Sequence, residues 1–145
     1  MDREEVLNKL KGKDDKAAYE FAKLIGVESA ESDKYYGLFY DFLEMLDDKS
    51  SYIRTRGFCL ACNQARWDDE GKLDAAFDKM SLLLNDEKPT VVRKCIGALH
   101  EVVLYKPELC ERIRAAVMAI DLSRYKDSMA PLIKKDGKEL LKMIE

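Results

Sequence analysis

The sequence predicts an all-α fold in which helices are arranged in consecutive, stacked pairs. Apolar residues recur at intervals of three or four along most of the chain, which is typical of amphipathic helices. The 145 residues include only 7 Gly and 3 Pro, too few for a turn-rich all-β protein. A pattern that repeats at intervals of about forty residues further predicts an array of similar two-helix units.

The repeat is visible in two alternating patterns. Five residues of one helical segment recur 38 positions later: Phe39, Phe42, Met45, Leu46 and Asp48 correspond to Phe77, Met80, Leu83, Leu84 and Asp86. After each such segment, an acidic residue precedes a basic residue by seven positions, and two apolar residues stand directly before the base. The three copies of this second pattern begin at Asp47, Asp86 and Asp127 and end at Arg54, Arg93 and Lys134.

These patterns predict four helix pairs. The expected helices are residues 2–11 with 14–25, 33–46 with 51–66, 71–85 with 90–105, and 107–121 with 127–144. Pro89 and Pro107 fall where a first helical turn begins, a position that does not need the missing N–H. Asp69 is a candidate N-cap for the helix that follows it, and Gly26 a candidate helix end.

The spacing of acid and base, with the apolar pair before the base, resembles the second-helix pattern of HEAT repeats. The resemblance covers residues 30–143 and is strongest around Asp86, Pro89, Val92 and Arg93. It implies an α-α superhelix of about four HEAT-like pairs. Residues 1–145 then form a single repeat domain, with a degenerate N-terminal cap at 1–26 and repeats at 30–67, 68–106 and 107–145. In such folds Arg54, Arg93, Asp48 and Asp86 are expected to form a ladder between neighbouring repeats.

Composition restricts the class of protein. No apolar run reaches the roughly 18–20 residues that a membrane-spanning helix needs, so we expect no membrane association. The formal net charge of −3 disfavours a dedicated nucleic-acid-binding protein. The charged N-terminus lacks the apolar stretch of a secretory signal. We therefore expect a cytoplasmic protein with four reduced cysteines.

No catalytic or cofactor site is predicted. Cys59 and Cys62 form a CxxC within a helix. With Cys95 they offer at most a three-thiol site, whereas structural zinc takes four ligands, so small buried thiols are the favoured interpretation. His100, the single histidine, has no nucleophile or carboxylate at a suitable helical spacing. Trp67 either anchors a partner or packs across an inter-repeat turn. We expect no enzyme activity, no metal and no cofactor.

Charge is distributed unevenly between first and second helices. Residues 28–48 contain seven acids and one base, and residues 68–88 seven acids and three bases. Residues 50–66 contain three bases and no acid, and residues 90–106 three bases and one acid. The HEAT resemblance implies that second helices line the concave face, so we expect an acidic outer face and a basic groove.

The favoured function is a non-enzymatic scaffold that binds a protein or peptide, expected to be acidic, in this groove. The residues expected on outward positions of two second helices are Arg56, Asn63, Arg66, Lys94, Gly97, His100 and Glu101. The alternative is nucleic-acid binding, because HEAT-like folds include DNA-alkylation-repair glycosylases. The oligomeric state and the identity of the partner are not predicted.

Overall fold

A computed structural model describes all 145 residues. It contains eight α-helices and no β-strand, which confirms the all-α prediction. The helices are α1 (Arg3–Leu10), α2 (Asp15–Ser29), α3 (Phe39–Glu44), α4 (Ser51–Cys62), α5 (Lys72–Ser81), α6 (Pro89–Tyr105), α7 (Cys110–Met118) and α8 (Ala130–Lys142). Short 3-10 helices extend several of them, at residues 36–38, 45–47, 65–67, 82–85, 107–109 and 122–124. No helix is long and apolar enough to cross a membrane.

Polar residues at the N-cap position begin three of the eight α-helices. Asp2, Asp14 and Ser50 each accept a hydrogen bond from a backbone N–H in the first turn of the helix that follows. Pro89 occupies the first position of α6, as predicted. The prediction that Asp69 caps α5 is wrong, because it is Asp68 that accepts hydrogen bonds from the Lys72 and Leu73 N–H groups.

Gly26 does not end a helix, because α2 continues to Ser29. Its role is a close approach between helices: a Cβ at Gly26 would lie 3.2 Å from Asn63 Oδ1 of α4. Gly57 of α4 is still more crowded, since a Cβ there would lie 2.5 Å from the carbonyl oxygen of Phe42 in α3. Both glycines therefore let two helices pack closely, and neither marks a turn.

The even-numbered helices pack against one another in chain order. Helix α4 contacts both α2 and α6, and α6 contacts α8, while α3 packs on α4 and also touches α5. A single apolar cluster of 32 buried residues runs from Val6 in α1 to Leu140 in α8. Every pair therefore contributes side chains to one continuous core, and burial of each large side chain is worth roughly 1.5–3 kcal/mol.

Ion pairs link consecutive units beside this core. The Arg54 guanidinium donates Nε and Nη2 to the two carboxylate oxygens of Asp86, each at 3.0 Å, and Nη1 to the Asp48 carbonyl at 3.1 Å. Arg93 pairs in the same way with Asp136, at 2.7 and 3.3 Å. Asp136 lies within α8, not in the preceding loop as Asp86 does, so the second pair does not copy the geometry of the first.

Candidate partner-binding groove

A hollow with a volume of about 820 Å³ runs across α2, α4 and α6. Its floor consists of Ala22, Leu60 and Val91, and its sides carry the exposed rings of Tyr19 and Tyr52. We call this hollow the α2–α4–α6 groove. Its surface is mostly apolar, a property shared by sites that bind a ligand by burial as well as by charge.

Three lysines surround the groove: Lys16 and Lys23 of α2 and Lys94 of α6. All three are exposed, and none forms an ion pair within the chain. The ammonium nitrogens of Lys23 and Lys94 lie 5.8 and 5.6 Å from the centre of the Tyr19 ring. This distance suits a weak cation–π attraction, so both charges lie close to one aromatic ring.

Arg56 was predicted on an outward position, and this placement is wrong: the residue is only 5% exposed. Its guanidinium donates Nη1 to the Leu10 carbonyl at 2.8 Å and Nη2 to Asp15 Oδ1 at 2.6 Å. Leu10 lies in the last turn of α1, where carbonyl groups lack a partner within the helix. Arg56 therefore joins α4 to the α1–α2 connection, and its charge is already neutralised by Asp15.

Asn63, Arg66 and Glu101 form a polar cluster between α4 and α6. Asn63 lines the groove and donates Nδ2 to Glu101 Oε1 at 2.9 Å. Arg66 donates Nη1 to the Ala30 carbonyl at 2.9 Å and lies 3.8 Å from Glu101 Oε2. Its guanidinium also stacks on Tyr105, with 4.5 Å between the guanidinium carbon and the ring centre. These three side chains are thus engaged with one another and with the backbone.

A second, shallower hollow of about 380 Å³ lies between α6 and α8 and shares Thr90 and Lys94 with the first. Gly97 and His100 line it, together with Asp136 and Glu139. No atom lies within 4 Å of the position of a Cβ on Gly97, so the space above α6 is open there. His100 directs Nδ1 towards Met143 Sδ at 2.7 Å. Lys94, Gly97 and His100 therefore share one accessible face of α6.

The four cysteines are all free. Burial raises the pKa of Cys59 to about 11 and that of Cys62 and Cys95 well above the ordinary thiol value. A protonated thiol is a poor nucleophile and a poor metal ligand. No group of three or more His, Cys, Asp or Glu side chains is placed to hold a metal ion.

Trp67 packs across the junction between the first two units, where its Nε1–H donates to the Ser29 carbonyl at 2.7 Å. Of the two roles that the sequence left open for this residue, the structure shows the packing contact. The aromatic residues that face the groove are instead Tyr19 and Tyr52.

The sequence analysis did not predict Lys16, Tyr19 or Lys23 as groove residues, because residues 1–26 lack the repeat pattern and were expected to form only a cap. A signal was present: residues 16, 19, 23 and 26 follow a helical spacing of three and four, which places two lysines and a tyrosine on one face of α2. The groove itself requires that this face lies beside α4 and α6, which only the packing shows.

Comparison with known proteins adds no relative: no family model matches the chain, and no curated protein or solved structure matches it either. The functional interpretation therefore depends on the geometry of the groove and on the charges around it.

Proposed function

We propose that the chain is a HEAT-like interaction module without catalytic activity, and that its α2–α4–α6 groove binds an acidic segment of a protein. The pairwise order of the helices and the packing of α4 between α2 and α6 support the HEAT-like assignment. The link from Arg54 of one unit to Asp86 of the next supports it further.

The observation that carries the proposed function is the set of three unpaired lysines around an apolar groove. Several basic side chains, such as Arg54, Arg56 and Lys106, are engaged by carboxylates of the same molecule. Other surface lysines also lack an ion pair, so the distinguishing feature of the three groove lysines is that they surround one apolar hollow. Lys16, Lys23 and Lys94 have no such partner and are available to carboxylates from outside. Asp15 and Arg56, which also line the groove, pair with each other, so the three lysines leave it with a net positive charge. Such a charge at a concave surface raises the local concentration of an oppositely charged ligand.

An acidic protein segment fits this surface better than a nucleic acid. The molecule has a formal net charge of −3, so its long-range field repels a polyanion that extends beyond the groove. A duplex needs a broad positive surface to neutralise many phosphates, whereas three lysines in one hollow match the few carboxylates of a short peptide.

The test is binding of a fluorescein-labelled oligoglutamate peptide of three residues, one carboxylate side chain for each groove lysine, measured by fluorescence anisotropy at low salt, where surface charges are least screened. We expect the unmodified protein to bind the peptide. We expect a variant with Lys16→Glu, Lys23→Glu and Lys94→Glu to bind at least about tenfold more weakly, since each exposed charge contact contributes up to about 1 kcal/mol.

A matched control carries Lys49→Glu, Lys88→Glu and Lys126→Glu, three exposed lysines that do not line the groove. It has the same net charge as the groove variant, so a general field effect weakens both equally. Equal loss in the two variants, or no binding by the unmodified protein, contradicts the proposed function. Tighter binding of a single-stranded oligonucleotide of equal charge than of the peptide favours the nucleic-acid alternative instead.

A further inference from the structure

The α2–α4–α6 groove has more apolar surface than a purely electrostatic ligand would cover. Tyr19 and Tyr52 are 48% and 63% exposed, and Val27 beside them is 65% exposed. Between the tyrosines the floor is made of the small Ala22 and of Leu60 and Val91, so the hollow has depth as well as width. A peptide that offered carboxylates alone would leave these surfaces in contact with water.

The positions of the lysines set the spacing of a ligand's charges. Lys16 and Lys23 are seven residues apart on α2, which corresponds to roughly 10 Å along the helix axis. In an extended peptide, residues i, i+2 and i+4 point to the same side, and residues i and i+4 are about 13 Å apart. The flexible lysine side chains accommodate the difference of a few ångströms between the two spacings.

Tyr19 lies between these two lysines in the sequence of α2, and its ring is close to the ammonium groups of Lys23 and Lys94. An apolar side chain of the ligand, placed between two carboxylates, meets Tyr19 and the floor of the groove. We propose, on the basis of the proposed function, that the groove recognises extended segments with the pattern acid–x–apolar–x–acid, in which the apolar residue is inserted beside Tyr19.

An alternative is that Arg56, at the base of the groove, binds a single carboxylate of the ligand. The structure argues against this role. Arg56 already donates to Asp15 Oδ1 at 2.6 Å and to the Leu10 carbonyl at 2.8 Å, and it is almost completely buried. The apolar floor is therefore the feature that remains for a ligand to fill.

The experiment compares two labelled peptides of identical composition and charge by fluorescence anisotropy. The first has the sequence Gly-Glu-Ser-Phe-Ser-Glu-Gly, and the second, Phe-Glu-Ser-Gly-Ser-Glu-Gly, exchanges Phe with the N-terminal Gly, so that the two acids keep their spacing and Phe lies outside them. We expect the first to bind roughly tenfold more tightly, because only its Phe is placed to be buried. We expect Tyr19→Ser and Tyr52→Ser together to remove most of this preference.

Leu82→Ser is the matched control, since Leu82 is 71% exposed and lies outside the groove. It is expected to leave the preference unchanged. Equal binding of the two peptides, or a preference that survives the tyrosine substitutions, overturns this inference while the proposed function stands, provided that oligoglutamate binding still requires the groove lysines. Failure of the two peptides and of oligoglutamate to bind overturns both.

Discussion

At the scale of single residues, the structure separates charges that hold the fold together from charges that remain free. Lys106 is 7% exposed, and its ammonium lies 3.1 Å from Asp68 Oδ2 and 2.8 Å from Asp74 Oδ1. Asp68 also accepts a hydrogen bond from the Tyr36 hydroxyl at 2.6 Å while it caps α5. The sequence shows these residues only as part of an acidic run and a helix end.

Protonation of Asp68 affects stability with a defined sign. Burial alone would raise the pKa of Asp68, but hydrogen bonds from Tyr36, the α5 backbone and Lys106 outweigh it and keep the pKa below its ordinary value of 3.8. The carboxylate therefore stabilises the fold above that value, and this contribution is lost as the pH falls through the lowered pKa.

The corresponding prediction concerns an Asp68→Asn variant. We expect its free energy of unfolding to be lower than that of the unmodified protein at neutral pH, by about 1–3 kcal/mol, since Lys106 loses the more buried of its two carboxylate partners and keeps Asp74. The difference should shrink steadily as the pH is lowered below about 4. Urea titrations at several pH values measure it, with Asp69→Asn, at an exposed neighbouring position, as the control. A difference that does not change with pH contradicts the assignment.

At the scale of helices, two glycines that both lie inside a helix have opposite effects on packing. A Cβ on Gly57 would lie 2.5 Å from the Phe42 carbonyl oxygen and 2.7 Å from Met45 Cβ, so α3 and α4 would have to move apart. Gly97, also inside a helix, faces open space. Glycine lowers helix stability by roughly 1 kcal/mol relative to alanine, so only the packing explains its presence at position 57.

The paired prediction is that Gly57→Ala destabilises and Gly97→Ala stabilises the protein. We expect Gly57→Ala to lower the free energy of unfolding by about 1–3 kcal/mol through overpacking. Gly97→Ala is expected to raise it by about 0.5–1 kcal/mol through helix propensity alone. Chemical denaturation of both variants provides the measurement. If Gly57→Ala is as stable as the parent, the close approach of α3 and α4 is incorrect.

At the scale of the whole molecule, successive helix pairs are joined by the continuous core and by ion pairs across their boundaries. The side chains of Arg54 and Asp86 are only 12% and 9% exposed, whereas those of Arg93 and Asp136 are 39% and 21% exposed. The first ion pair is therefore shielded more from water, and its loss leaves a more deeply buried charge without a partner.

A double-mutant cycle tests this difference. We expect Arg54→Ala and Asp86→Ala each to cost about 3 kcal/mol, with a coupling energy of about 1–3 kcal/mol between them. The cycle of Arg93→Ala and Asp136→Ala should give about 1 kcal/mol or less, because this pair is more exposed. The free energies come from urea unfolding. Coupling in the Arg93 cycle that equals or exceeds that in the Arg54 cycle contradicts the prediction.

The all-α class and the approximate extent of the helices could be predicted from the sequence. These properties depend on local spacing, on caps and on prolines, all of which are readable over a few neighbouring residues. The predicted contact between Arg54 and Asp86 is present, whereas Arg93 pairs with Asp136 of α8 and the Asp48 carboxylate accepts from the Ser50 N–H, so the expected ladder is only partly formed.

Which charges are available to a ligand could be learned from the packing of the helices but not from the sequence. Arg56 and Lys94 are both basic residues on second helices of the predicted pairs. Arg56 is buried against Leu10 and Asp15, whereas Lys94 is exposed at the groove. Whether a charge is free depends on carboxylates and carbonyls that lie tens of residues away in the chain. Lys16 and Lys23 line the same groove as Lys94 because α2 packs against α4.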